Sequence, residues 1–405
     1  MVESEAAAEN EKEFRSNFRM RRVLVPILLG LIAAGWLLWR DLSKVRFESV
    51  PAGTGEYEWI GSGPSRIPNL EDPEQFRIAE DGNGDYKLMT ATEILRSIDW
   101  TWYSTMWMIM AVISTAFRDL GYIYRIRVLS DGRLNWRQSF DVTMLWEFAS
   151  SITPSVVGGS GVAMFIINRE GVPLGRATSI VLVTALMDEL FYVLMVPIVF
   201  LAVGSADLFP EELDNAFWGL PIRSIFWIGY SLIFLVTILI FYSIFFRPRA
   251  FKYVLLNIFK FRLLNRWRPM VIKVGDDIVI TSAELRDKSI GFWSKAFGAT
   301  IFSWASRFLV INFIAAAFFD VQDHLLLYAR QLMMWVILLI SPTPGGSGVA
   351  EVAFAGFFRD LLPAVGYIAA IAVIWRLLSY YLYLFVGMLV LPRWIRRSDV
   401  KPVES

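Results

Sequence analysis

Glu147, Asp188, Glu189, Arg307, Glu351 and Arg376 all stand inside runs apolar enough to be membrane helices. A charge at the centre of such a helix costs ~2.5–3.5 kcal/mol or more, so an ionisable residue there usually faces a polar cavity or a partner of opposite sign. Arginine is suited to a phosphate, which its planar fork can grip with two hydrogen bonds. Carboxylates at the same depth can hold a cation or a proton. A purely structural use is also open: Glu351 with Arg376, and Asp188 or Glu189 with Arg307, can pair to fix the bundle. The signs balance, so residue types alone do not separate phosphate binding, proton coupling and structural pairing.

Beside these charges the chain repeats a short motif. GGSGVA occurs in "ITPSVVGGSGVAMFI" (Ile152–Ile166) and again in "ISPTPGGSGVAEVAF" (Ile340–Phe354), where it leads directly into Glu351. Glycine permits positive φ and close backbone approach, and proline stops a helix. The motif is expected to turn a helical hairpin inside the membrane, with backbone N–H groups forming a nest for an anion. Irregular backbone survives at that depth only when buried in protein or lining a wet cavity. The candidate transport residues are therefore Gly158, Gly159, Ser160 and Gly161 in the first copy, and Pro344, Gly345, Gly346, Ser347, Gly348 and Glu351 in the second. Asp188, Glu189, Arg307 and Arg376 complete the set. No catalytic residue and no metal site is expected.

The elements that position these residues follow from hydropathy. The 405 residues are 56% hydrophobic and 19% charged, against about a quarter charged in soluble domains. Candidate spans are Val23–Trp39, Trp100–Phe117, Ala177–Val203, Ser224–Phe246, Trp293–Phe319 and Ala364–Leu391, with less regular apolar segments at Phe140–Ile167 and Leu325–Phe358. Arg15 to Arg22 precede the first span, whose length exceeds a signal-peptide core, so it is expected to be retained. The stretches Arg118–Arg137 and Arg247–Lys295 and the C-terminal tail are basic and expected to be cytoplasmic; Lys44–Tyr86 and Gly204–Asn215 are acidic and expected outside. This arithmetic makes Phe140–Ile167 enter from the cytoplasm and return, and Leu325–Phe358 enter from outside and return, as re-entrant hairpins or as two full crossings each, though ~14 residues per limb is short for a span.

The two hairpins therefore face opposite ways. Aligning their motifs gives an offset of 187 residues (345 − 158), and each unit reads span, hairpin, span. Inverted repeats with broken helices near the midplane mark secondary transporters. The expected fold is an all-α polytopic membrane protein with about six transmembrane helices and two re-entrant hairpins. Its parts are a cytoplasmic tail (1–22), a first transmembrane helix (23–39) and an extracytoplasmic polar insert (40–92). Repeat 1 (93–203) follows, with hairpin 140–167. A linker (204–292) carries helix 224–246 and a basic cytoplasmic loop. Repeat 2 (293–391), with hairpin 325–358, precedes a second cytoplasmic tail (392–405).

Other features narrow the function classes. The absence of cysteine removes thiol chemistry and thiolate metal sites. The single histidine, His324, sits at an interface and reads as structural. A net charge of +1 gives no footprint for nucleic acid. No P-loop is present, so nothing indicates ATP.

"SPTPGGSGVAE" followed by "WRLLSYYLYLFVG" (Trp375–Gly387) resembles the second-half signature of the lysylphosphatidylglycerol synthase transmembrane (flippase-like) family. The residues that carry the resemblance are Pro342, Pro344, Gly345, Gly346, Gly348, Glu351, Arg376 and Gly387. Where that family has a Glu-Arg-x-x-Asp-like group, this chain has "LMDEL" around Asp188 and Glu189. The resemblance implies a multi-pass bacterial inner-membrane protein that moves a phospholipid or lipid-linked carrier between leaflets, without a cofactor. In such proteins a soluble aminoacyltransferase domain can follow the membrane region. Only residues 392–405 follow the last span here, so aminoacyl-lipid synthesis is not expected. The expected partners are membrane lipids with an anionic headgroup, with a homo-oligomer left open. The alternatives are a lipid-headgroup enzyme using Glu351 or Asp188 as acid–base group, and a non-transporting envelope scaffold docking through Lys44–Tyr86.

Overall fold

The computed structural model describes residues 45–49, 53–60, 73–79, 82–90, 93, 100–152, 155–210, 219–260, 285–339, 349–362 and 365–398, with scattered positions between 268 and 283. The expected first span and the extreme tails lie outside these residues. So does 340–348, which carries Pro344, Gly345, Gly346, Ser347 and Gly348.

The expected polar insert holds a small β-sheet, an addition to a chain that is otherwise helical, consistent with an all-α membrane protein. Strands β1 (Val45–Ser49), β2 (Tyr57–Trp59), β3 (Phe76–Ile78) and β4 (Tyr86–Thr90) form an antiparallel sheet in the order β1-β4-β2-β3. Phe47 pairs with Leu88 and Trp59 with Phe76. The Phe47 and Phe76 rings stack at 4.0 Å, and Tyr57 and Tyr86 meet them edge-on, giving the sheet an aromatic core of its own.

All remaining elements are helical. Helix α1 (Trp102–Leu129) starts at a reciprocal cap between Thr101 and Ser104. It ends in the turn Ser130–Gly132, where Asp131 takes a left-handed φ of 54°. Asp131 is secured there by Arg176 and by Lys288 at 2.7 Å. Helix α2 (Trp136–Ile152) opens on a second reciprocal box, Asn135 with Gln138. It leads into α3 (Ser155–Arg169) and α4 (Leu174–Val203). After α5 (Ile222–Phe245) and α6 (Pro248–Ile258) comes α7 (Ile290–Phe318), capped by Ser289. Helices α8 (His324–Leu339) and α9 (Val349–Phe358) follow, then α10 (Val365–Arg376), a π-helical turn at Leu377–Tyr381, and α11 (Leu382–Ser398).

The described residues are mostly helical, as expected of a membrane protein. Among the described residues, Leu174–Val203, Ile222–Phe245, Ile290–Phe318 and Ala370–Arg397 are long and apolar enough to cross a membrane. Two corrections matter for function. Helix α1 does not stop at Phe117 but continues to Leu129, so Arg118 and Arg125 are buried helix residues rather than loop charges. Gly158, Gly159, Ser160 and Gly161 lie inside α3, which begins at Ser155, rather than in a turn. Gly159 has a packing role instead. A Cβ there would lie 2.0 Å from Ser150 Oγ, so only glycine lets α3 lie this close to α2.

The long helices α1 and α7 pack tightly along their length. Ser114 Oγ donates to the Ser306 carbonyl (2.8 Å), and Ser303 Oγ donates to the Arg118 carbonyl (2.6 Å). Small residues at such contacts let membrane helices approach closely. Polar clasps close the two ends of α4. Near its N-terminus, Glu170 accepts Gln138 Nε2 and Trp394 Nε1, both at 2.7 Å, and pairs with Arg397. Beyond its C-terminus, Arg330 grips Asp360 and donates to the carbonyls of Phe357 (2.9 Å) and Asp207 (2.7 Å).

Candidate functional site

Four helices carry polar stripes at intervals of three and four residues, the spacing that places side chains on one helical face. On α1 the stripe is Arg118, Tyr122 and Arg125; on α2, Thr143, Glu147 and Ser150; on α4, Thr184, Asp188 and Tyr192; on α7, Thr300, Trp304 and Arg307. These stripes converge on a cavity of about 280 Å³. Trp335 from α8, Trp375 and Arg376 from α10, and Ser379 and Tyr380 from the π turn complete its wall. Asp188 and Glu189 occupy the middle of α4, roughly 22 Å from either end at 1.5 Å per residue. In a helix that spans the bilayer this is close to the midplane.

The arginines on the wall are held by carboxylates and aromatic rings. Arg125 grips Asp188 with both ends of its fork, at 2.6 and 3.1 Å, and donates to Thr300 at 2.9 Å. Trp304 Nε1 adds a third donor to Asp188 at 2.8 Å. Arg118, just behind the cavity, pairs with Glu147 and with Asp119 at 3.0 Å, and Tyr383 donates to Asp119 at 2.9 Å. Arg307 lies 3.7 Å from Glu147, its guanidinium 4.7 Å from the ring centres of both Trp304 and Trp335. Arg376 sits over Tyr380 at 4.7 Å and near Trp375 at 5.6 Å. Flat guanidinium groups gain from such ring faces, the more so when desolvated.

The π turn explains how one helix supplies several of these groups. Inserting a residue between α10 and α11 shifts the phase of the side chains beyond it. Tyr380 OH donates to the Ser151 carbonyl (3.2 Å) on α2, while Tyr383 reaches Asp119 on α1. Further along, Gly387 passes directly under Phe148, where a Cβ would lie 2.3 Å from the ring.

Some polar atoms on the wall are not satisfied. Thr184 Oγ1, Glu189 Oε2, Tyr192 OH and Ser379 Oγ are buried and have no hydrogen-bond partner among the described residues. Buried polar atoms nearly always have one. All of these residues line the same cavity, so a molecule that donates and accepts hydrogen bonds suits its interior.

Residues 88–387 match the model of the lysylphosphatidylglycerol synthase TM region. The chain belongs to that family. A UPF0104 membrane protein of Archaeoglobus fulgidus is 26% identical over 274 residues, covering 65% of this chain and 79% of that protein. No solved structure matches the chain. Together with the apolar helices, these matches make the chain a multi-pass membrane protein. The lysylphosphatidylglycerol synthase TM region begins within β4 and ends within α11, leaving most of the β-sheet outside it.

The structure brings Ser160, Asp188, Glu189, Arg307 and Arg376 to this cavity. It corrects one expected pairing: Asp188 is gripped by Arg125, and Arg307 turns to Glu147. Gly159 is a packing residue, and Gly161 is not among the described residues of the cavity wall. Glu351 is in α9, with its side chain outside the described residues, as is the second glycine motif. Sequence reasoning passed over Arg125, Tyr122, Thr143, Thr184 and the tryptophans of the wall. Their signal was the recurrence of polar and aromatic residues every three or four positions within apolar helices.

Proposed function

We propose that this protein moves a phospholipid, or a lipid-linked carrier with an anionic headgroup, between the leaflets of a membrane. The observation that carries the proposal is the cavity at the middle of α4, walled by arginines and aromatic rings and lined by unsatisfied polar atoms. Its volume, about 280 Å³, lies near the lower end of the ~300–1,000 Å³ typical of ligand pockets. That size suits a headgroup while the acyl chains remain in the lipid. Family membership is consistent with a lipid-related role.

The mechanism proposed is alternating exposure between two inverted repeats, α1–α4 and α7–α11. Several features support it. Each unit has a long helix, two shorter helices and a further long helical segment. The contacts of Ser114 with Ser306 and of Arg118 with Ser303 run antiparallel and centre near Ala116 and Trp304, positions 188 residues apart (304 − 116), within a residue or two of the 187-residue offset of the glycine motifs. A two-fold axis in the membrane plane would make each of these helices cross its own counterpart at equivalent residues. Glu189 and Arg376, both on the cavity wall, are also 187 residues apart (376 − 189). In this proposal the hairpin α2/α3 enters from the cytoplasm, α8/α9 from outside, both termini are cytoplasmic, and the membrane is the inner membrane of a bacterium.

Asp188, the acid–base candidate of the enzyme alternative whose side chain is described, is tied into an ion pair with Arg125 and is poorly placed to act as a free base. The test is lipid transfer by purified protein in proteoliposomes. Replacing Arg307 or Arg376 with Gln removes a charge-assisted hydrogen bond worth about 1.5–3 kcal/mol, so transfer should fall roughly ten- to hundredfold. Unchanged transfer in both variants would refute the proposal.

A further inference from the structure

Carboxylates of the cavity wall differ sharply in how they are neutralised. Asp188 accepts both arms of Arg125 and the indole of Trp304. Glu147 is shared by Arg118 and Arg307. Glu189, the next residue along α4, is rotated by about 100° from Asp188 and away from that clamp. Its Oε2 is buried and has no hydrogen-bond partner among the described residues.

The charged and titratable groups around Glu189 come from each neighbouring element. Helix α1 presents Arg125, already committed to Asp188, and Tyr122. Helix α2 presents Glu147, α7 presents Arg307, α10 presents Arg376, and the π turn presents Tyr380. On its own helix stand Asp188 and Tyr192. No salt bridge joins Glu189 to any of these arginines among the described residues. An ionised carboxylate in such a place lacks compensation and costs far more than its neutral form.

Resting on the lipid-transfer reading, we infer that Glu189 is a proton-binding site whose occupancy sets the charge of the cavity and so couples headgroup movement to protons. The geometry favours a proton over a metal ion. A hard cation needs several oxygen ligands in one shell, and the neighbouring carboxylates are already held by arginines. A lone carboxyl can take a proton unaided, and as Oε2–H it becomes a donor. With the proton on, the cavity loses one negative charge and accepts an anionic headgroup. With the proton off, Glu189 repels it.

Two readouts on full-length protein test this. The first is infrared difference spectroscopy in detergent or lipid as pH is varied, for wild type and Glu189→Gln. A protonated-carboxyl band that titrates in wild type and is missing in the variant supports the inference; spectra identical between the two overturn it. The second is transfer of phosphatidylglycerol in sodium-free proteoliposomes. Wild-type transfer should rise about tenfold per pH unit lowered on the alkaline side of the Glu189 titration, and Glu189→Gln should lose that dependence. Transfer that ignores pH but requires sodium would overturn the proton assignment. A titrating band with no lipid transfer at any pH would refute the lipid reading, while leaving the proton site standing.

Discussion

Arg125 and Asp188 form the most fully engaged ion pair on the cavity wall, and breaking it should be costly. The Arg125 side chain is 2% exposed and that of Asp188 24%. Replacing Arg125 with Met leaves Asp188 charged, with Trp304 Nε1 as its remaining donor, and also strips Thr300 of a donor. Removing one partner of a buried pair costs about 3–5 kcal/mol, because the survivor is left uncompensated, whereas replacing both can be nearly neutral. Asp188→Asn alone should likewise destabilise, since Arg125 is then buried without a counter-charge. The double variant should recover much of the loss, with a coupling energy of about 2–3 kcal/mol, the upper part of the range for contacting residues. The assay is reversible unfolding in mixed micelles, with all four proteins compared under one condition. If the double variant loses the sum of the two single losses, the pair is not coupled and the account of the wall is wrong.

Other outcomes follow from the packing and the clasps. Gly387→Ala forces a methyl into the Phe148 ring and should cost about 1–3 kcal/mol, as overpacking does; adding Phe148→Leu should return part of it, read as melting temperature in detergent. Gly159→Val should separate α2 from α3 by displacing Ser150, which cross-linking between cysteines placed on the two helices would register as a loss of yield. Glu170→Gln weakens the clasp to Arg397 and Trp394 and should cost about 1–3 kcal/mol, visible as faster proteolysis of the α11 C-terminal end. Arg307→Lys keeps the charge but loses the flat surface between Trp304 and Trp335, so lipid transfer should drop even though the cavity's net charge is unchanged.

The order of helices was legible because membrane spans are read from a single variable, the length of an apolar run. The described ends of Ala177–Val203, Ser224–Phe246 and Trp293–Phe319 lie within three residues of those expected. The error at α1 came from the same variable. Arg118 and Arg125 interrupt the apolar run, and a count of positive loop charges has no means of seeing that each has a carboxylate waiting on another helix. The glycine motif was misplaced because glycine serves two purposes, turning a chain and letting helices touch. Which one applies at Gly159 depends on Ser150, a contact that spacing alone does not give. The π turn at Leu377–Tyr381 has no sequence signature, since it contains neither proline nor glycine. The sheet was hidden by its size: strands of three to five residues, held by Phe47 and Phe76 from far apart in the chain, leave too short an alternation to stand out. The partner of Asp188 was unreadable for the reason that hid Arg125.

The claim at the centre of this account is that one cavity at the middle of α4 opens to each side of the membrane in turn. The chain has no cysteine, so Ala185, on the cavity wall, can be replaced by Cys as a single reporter. Membrane-impermeant maleimide would then be applied from either face of proteoliposomes of known orientation, with and without excess anionic lipid. The account predicts labelling from both faces, slowed from both by the lipid. Labelling from one face alone, or labelling that the lipid leaves unchanged, would contradict it.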